Sequence, residues 1–213
     1  MSLPDFTGEC FIGGRWLKGA GATFTSIAPA DGAVIWKGAE AGFADVEVAI
    51  AAAREAFPAW RRRPIEERIA FVRAFAKLVD ANRAEMAAII SRSTGKPLWD
   101  AATEAAAMIG KAELSIKAYN ERTPTKEAAA GAFVARISHH PHGVMAVLGP
   151  FNFPGHLPNG HIMPALIAGN TVIFKPSEQT PEVAEFTVRL CEQAGIPAGV
   201  VSLVQGARAP AEQ

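Results

Sequence analysis

From Gly143 onward, three short β-type runs that are almost wholly apolar alternate with helical segments. The runs are Val144–Leu148, residues 171–174 and residues 200–204, and the helices fall at about 157–168 and 181–193. A strand with no polar face must be covered on both sides. Helical crossovers do this when the strands run parallel and each helix packs back on the sheet. The pattern therefore dictates an α/β fold with a doubly wound parallel sheet. Such sheets usually have about five or six strands, so three make an incomplete one.

The preceding residues read as an N-terminal helical layer. Val46, Ala49, Ile50, Ala53 and Phe57 share one helical face, with Asp45 placed to cap the start and Pro58 near the end. Pro64 suits the first turn of a second helix, whose stripe is Ile65, Ile69, Val72, Phe75 and Val79. Asn82 and Glu85 stand in capping-box spacing for a third helix ending at Gly95, and a fourth runs from about Pro97 to Tyr119. No acidic or histidine cluster marks this layer, which reads as scaffold. Ahead of it, residues 9–17 with Gly13-Gly14 and the run Val34-Ile35-Trp36 point to a small hairpin or paired strands, with loop between them. After it, Phe133, Val134 and Ile137 alternate through residues 132–140 as a hairpin or a pair of crossing strands. The organisation is thus 1–121, 122–142 and 143–213.

Charge and composition exclude several classes of partner. Twenty-one basic and 21 acidic residues cancel and are interspersed, so there is no footprint for nucleic acid or an anionic membrane. Arg61, Arg62 and Arg63 sit at the break between two helices as a solvated corner. The start, Met1-Ser2-Leu3-Pro4-Asp5, lacks the basic-then-apolar pattern of a leader, and no apolar run is long enough to span a membrane. The expected compartment is cytoplasmic. Cys10 and Cys191 lie in no ligand spacing, so two reduced thiols are expected. His139, His140, His142, His156 and His161 are close in sequence, but His156 and His161 do not share a helix face and no acidic ligand lies among them. No metal site is expected.

In an open parallel sheet, ligands bind beyond the carboxyl ends of the strands. After the first strand comes Gly149-Pro150-Phe151-Asn152-Phe153-Pro154-Gly155, and after the second Lys175-Pro176-Ser177-Glu178. A rigid loop offering an uncharged amide is suited to stabilising an oxyanion. A cation and a carboxylate at a strand end can grip the vicinal hydroxyls of a ribose. Each loop also has a plainer reading: Asn152 as a turn former, and Lys175 to Glu178 as the solvated start of a helix capped by Ser177.

The two loops belong to a longer series: Gly149-Pro-Phe-Asn-Phe-Pro154, Pro164-Ala-Leu-Ile-Ala-Gly-Asn170, Phe174-Lys-Pro-Ser-Glu-Gln-Thr-Pro181 and Gly195-Ile-Pro-Ala-Gly-Val-Val201. In order and spacing this series resembles the aldehyde dehydrogenase superfamily. The resemblance extends over essentially the whole chain. It implies that Asn152 is the side-chain half of an oxyanion hole and that Lys175 and Glu178, with Ser177 between them, bind the adenosine ribose. It also implies that Leu148, Gly149, Pro150 and Phe151 line the nicotinamide side. A carboxylate such as Glu178 repels a 2′-phosphate, so NAD is the implied cofactor. Residues 143–213 would then be the first part of a Rossmann-like NAD-binding domain, and 122–142 oligomerisation strands of a homo-oligomer. The expected partner is a small-molecule aldehyde.

The chemistry implied by the resemblance starts with a cysteine thiolate attacking the aldehyde and ends with a glutamate-activated water hydrolysing a thioester. Within the superfamily, Gly155-His-Leu-Pro-Asn-Gly-His161 and Ser115-Ile-Lys-Ala-Tyr-Asn-Glu-Arg-Thr123 resemble the branch acting on an N-succinylated semialdehyde in arginine breakdown. The two further carboxylates of that substrate call for cations, and Lys117 and Arg122 are candidates by charge. Cys191 sits in an apolar helical pattern and reads as a core thiol. The family's reactive cysteine, base glutamate and glycine-rich turn have no counterpart in this chain, so the 213 residues alone are expected to be inactive. Alternatives are a nucleotide-binding or interaction module, or a partner that joins the oligomer of an intact enzyme through the 132–140 strands. Open sheet edges should make the chain self-associate.

Overall fold

The computed structural model describes residues 4–212. Residues 1–3, part of the stretch read above as lacking a leader, and residue 213 lie outside the described residues. β1 (Cys10–Ile12) and β2 (Arg15–Leu17) form a hairpin closed by Gly13 and Gly14 at φ +59° and +81°. Two successive left-handed residues are what a two-residue primed turn demands, and glycine adopts them without a steric penalty. β3 (Thr23–Ile27) and β4 (Val34–Ala39) form a second antiparallel pair. The sequence reading left 23–27 as loop. Its Thr, Ser and Phe residues pair with β4, and Ser26 and Trp36 turn inward opposite one another.

Four helices follow: α1 (Phe43–Arg62), α2 (Ile65–Ala81), α3 (Arg83–Thr94) and α4 (Leu98–Arg122). Asp45 caps α1 from within its first turn, accepting the Gly42 and Ala20 N–H groups, each at 2.8 Å. Pro58 does not end α1. The last turn is fixed by Trp60, which is buried and donates its indole N–H to the Leu166 carbonyl at 3.2 Å, so tertiary anchoring overrides the proline. The capping box expected at Asn82 is also absent, because its amide donates back to Leu78 at the end of α2. Gly95, at φ +73°, closes α3 in the expected left-handed conformation.

β5 (Lys126–Ala130) and β6 (Phe133–Ile137) make an exposed hairpin. The chain then runs β7 (Val144–Leu148), α5 (His156–Ala168), β8 (Thr171–Lys175), α6 (Pro181–Gln193) and β9 (Val201–Leu203). β7, β8 and β9 are parallel neighbours, as the alternation predicts. The sheet nevertheless has five strands in the order β2-β1-β9-β8-β7, because β1 adds antiparallel to β9 through Phe11 and Leu203. The N-terminal hairpin therefore belongs to the same sheet as the last third of the chain and covers one edge that the sequence reading left open. β7 remains at the other edge, with Leu148 63% exposed.

Helices pack on both faces, which makes the sheet doubly wound, although Ala146 and Leu148 at the β7 edge stay exposed. Cys10, Ile12, Ile173 and Val204 pack against Val46, Ala49 and Ala53 of α1. Val147, Val172, Phe174 and Leu203 face the larger core built from α2 to α6. Alternate residues of β8 thus enter different cores, as a period of two requires.

Candidate functional site at the strand tips

The tips of β7 and β8 are held side by side. Leu148 is in register with Lys175, and the Gly149 N–H donates to the Lys175 carbonyl at 2.8 Å. The Lys175 amine reaches the third tip, donating to the Gly206 carbonyl at 2.7 Å and to the Pro176 carbonyl at 2.6 Å. Its apolar stem ends a fully buried strand while its amine finds carbonyls. Burial pushes its pKa below the ordinary lysine value, against the opposing pull of Glu178 and Glu40.

Ser177 and Glu178 sit on the surface of the turn that follows. The Ser177 hydroxyl accepts the Gln179 N–H at 3.2 Å and does not cap α6, whose cap position is Thr180. The Glu178 carboxylate forms no hydrogen bond with a described residue and is free to accept from a ligand hydroxyl. The site residues named from sequence divide between two clefts. Phe151 and Glu178 line one of about 540 Å³ together with Thr180 and Ala207. Leu148 and Lys175 line another of about 330 Å³ together with Ile173 and Val204. Asn152 lines neither, and Gly149 and Pro150 form the connection between β7 and the Asn152 loop. An exposed, unpaired carboxylate beside a cleft at three converging strand ends fits a ribose. The structure thus brings the β7, β8 and β9 loops together, and the two clefts share one crest of strand tips.

The Asn152 loop has no regular structure of its own and is held from the helical layer. Glu104 on α4 is buried; one carboxylate oxygen accepts the Gly155 and His156 N–H groups at 2.9 and 3.0 Å, satisfying the start of α5. Its other oxygen pairs with Lys96 at 2.8 Å. The Lys96 amine also donates to the Asn152 carbonyl at 3.1 Å and lies 4.1 Å from the centre of the Phe153 ring. With its backbone anchored, Asn152 leaves its side-chain amide exposed and without a partner among the described residues. A fixed backbone carrying a free N–H donor is the arrangement an oxyanion needs.

Sequence reasoning assigned residues 45–120 to scaffold and so missed Lys96 and Glu104. The available signal was a carboxylate among Ala101, Ala105 and Met108 on the apolar stripe, since a buried charge requires partners. Lys117 and Arg122, named by charge, stand away from the loop. Lys117 is exposed and 3.9 Å from Glu121, and Arg122 is exposed in the last turn of α4.

Neither thiol is poised for attack. Burial raises Cys10 to about 11 and Cys191 to about 12, and Cys10 accepts the Gln205 N–H at 3.3 Å. Thiols so placed carry almost no thiolate near neutral pH. Among the described residues, no group of three or more His, Cys, Asp or Glu side chains is placed to hold a metal ion, and no helix is long and apolar enough to cross a membrane.

The chain is 55% identical over 198 residues to N-succinylglutamate 5-semialdehyde dehydrogenase of Chromobacterium violaceum and 56% identical to the protein of the same name from Paraburkholderia xenovorans. Each alignment covers 93% of this chain and 41% of the relative, so the chain spans well under half of these relatives' length. Among solved structures, an NAD-dependent benzaldehyde dehydrogenase from Corynebacterium glutamicum superposes with a TM-score of 0.90 at 30% identity, covering 99% of this chain and 47% of that one. PnpE in complex with nicotinamide adenine dinucleotide superposes with a TM-score of 0.91 at 31% identity, covering 98% of this chain and 44% of that one. Residues 16–213 match the description "Aldehyde dehydrogenase family", and the chain belongs to the aldehyde dehydrogenase family.

Proposed function

We propose that this chain supplies the first part of the cofactor-binding sheet and the oxyanion loop of an NAD-dependent enzyme that oxidises N-succinylglutamate 5-semialdehyde to N-succinylglutamate. The observation that carries this reading is the Asn152 loop, whose backbone is fixed by Lys96 and Glu104 while its side-chain amide stays free. In that role Asn152 donates to the carbonyl oxygen of the aldehyde as negative charge develops there. Leu148, Gly149, Pro150 and Phe151 border the reacting end of the cofactor, and Lys175, Ser177 and Glu178 its ribose. A bound NAD would accept the hydride. The name shared by the relatives at 55 and 56% identity supports the substrate. Residues 122–142, whose two strands are fully exposed, serve in this reading as the strands through which copies assemble.

Both thiols are buried and protonated, so the 213 residues by themselves bind the dinucleotide without turning over substrate. The purified chain, mixed with NAD and N-succinylglutamate 5-semialdehyde, is expected to bind NAD by calorimetry and to form no NADH. Failure to bind the dinucleotide would overturn the cofactor reading, and NADH production would overturn the assignment of both thiols as inert.

A further inference from the structure

The seam between α4 and α5 holds a cation that the strand-tip site leaves unused. Residues 104, 108 and 111 of α4 meet successive parts of α5. Glu104 accepts the Gly155 and His156 N–H groups, the Met108 carbonyl accepts the Asn159 amide at 3.0 Å, and Lys111 lies across Gly160. A methyl group built on Gly160 would stand 3.4 Å from Lys111 Cε and 3.5 Å from its Nζ, so the bare glycine gives the lysine room to lie flat on the helix. Lys96 is neutralised by Glu104 at 2.8 Å. Lys111 has no such carboxylate among the described residues. Beside it, His156 Nδ1 and Asn159 Oδ1 are buried without hydrogen-bond partners. These groups form a short polar track, with one uncompensated charge, leading away from the Asn152 loop.

We propose that Lys111, with the imidazole of His156, receives a carboxylate of the substrate and makes the α4–α5 seam the subsite that selects an anionic aldehyde. This deepens the dehydrogenase reading and rests on it for the position of the aldehyde end. Seven residues of helix separate Glu104, which fixes the oxyanion loop, from Lys111, a rise of about 10 Å. An aldehyde carbonyl at the Asn152 amide can therefore direct a carboxylated tail along the seam. The electrostatics agree: burial lowers the His156 pKa and the nearby Lys111 lowers it further, with a smaller push from Lys96, against the raising pull of Glu104. A carboxylate arriving between the two would reverse that effect. Lys117, already paired with Glu121, has no part in this subsite.

The test is an NMR titration of the His156 imidazole in the full chain, with N-succinylglutamate as the probe and its uncharged triamide as the control. The succinyl carboxylate or the α-carboxylate of the probe should raise the His156 pKa by about one unit, and the triamide should leave it unchanged. Lys111→Met should abolish the response, while Lys117→Met should retain it. Absence of a shift in the unmodified chain, or a response in Lys111→Met equal to that of the unmodified chain, would overturn the proposal. NAD binding by the same chain is read separately, so loss of this subsite and loss of the dehydrogenase reading are distinguishable.

Discussion

At the residue scale, Asn152 and Glu182 illustrate opposite uses of a polar side chain. Asn152 has its backbone tied down and its amide free; in the proposed role its contribution appears only when charge develops on a bound carbonyl. In a catalytically complete enzyme carrying this segment, Asn152→Ala should lower kcat by about two to three orders of magnitude, equivalent to ~2.7–4 kcal/mol. Affinity for NAD should be unchanged; steady-state kinetics and calorimetry check the two halves. Glu182, near the start of α6, is buried with both carboxylate oxygens unpartnered, because the hydroxyls of Ser26 and Ser93 are donated to the Gln179 and Ile89 carbonyls. Burial pushes its pKa up to about 7 from 4.5, outweighing the lowering effect of its own backbone and of the nearby Ser93 and Ser26 hydroxyls, whose hydrogens point to the Ile89 and Gln179 carbonyls, and Glu185 adds slightly to the rise. The folded pKa lies above the unfolded one, so the protonated form favours folding. This stability is fully present below pH 4.5 and is lost as pH rises through about 7, a change of about 3 kcal/mol. Glu182→Gln should flatten that part of the stability profile, measured by urea unfolding across the interval. An unchanged slope would remove Glu182 as its source.

At the scale of elements, buried carboxylates fasten pieces of chain that no hydrophobic pattern could pair. Glu185 of α6 accepts the Thr7 N–H at 2.7 Å, the Gly8 N–H at 3.2 Å and the Trp36 indole N–H at 2.8 Å, and pairs with Arg189 at 2.6 Å. One side chain thus joins the N-terminal segment, β4 and α6. Glu185→Ala would leave several buried donors and a guanidinium without their acceptor, and should destabilise the chain by about 3–5 kcal/mol in chemical denaturation. A loss below about 1 kcal/mol would mean that water replaces the carboxylate. Lys96 and Glu104 do the same for the Asn152 loop. Lys96→Met leaves Glu104 its two backbone N–H partners, so its cost should be smaller, about 1.5–3 kcal/mol. Hydrogen exchange at Gly155 and His156 would then report whether the cap survives. The helices themselves were legible from the 3.6-residue period, and Gly95 marked its own C-cap. Asn82 misled because its deciding partner, Leu78, lies in the neighbouring helix.

At the scale of the whole molecule, the sheet ends in the short β2 on one side and in β7 on the other. β1 closes the β9 side, whereas β7 presents unpaired backbone and an exposed Leu148, and the β5–β6 hairpin exposes Phe133, Val134 and Ile137. An open edge near apolar surface promotes association. The purified chain should show concentration-dependent self-association in sedimentation velocity, and Leu148→Lys should reduce it. A monodisperse monomer across the accessible concentration range would count against this.

The sequence alone determined the class of fold, the parallel order of β7, β8 and β9 and the two loops beyond the first strands. Short apolar runs admit few environments, and turn residues act over only a few positions. It could not determine that the hairpin at residues 10–17 joins the same sheet, that Glu104 holds a loop 51 residues away, or that Lys111 rather than Lys117 lies against α5. Those facts depend on which helix face meets which neighbour. A carboxylate or an amine takes its role from the groups that desolvate and surround it, and only the packed chain brings them together.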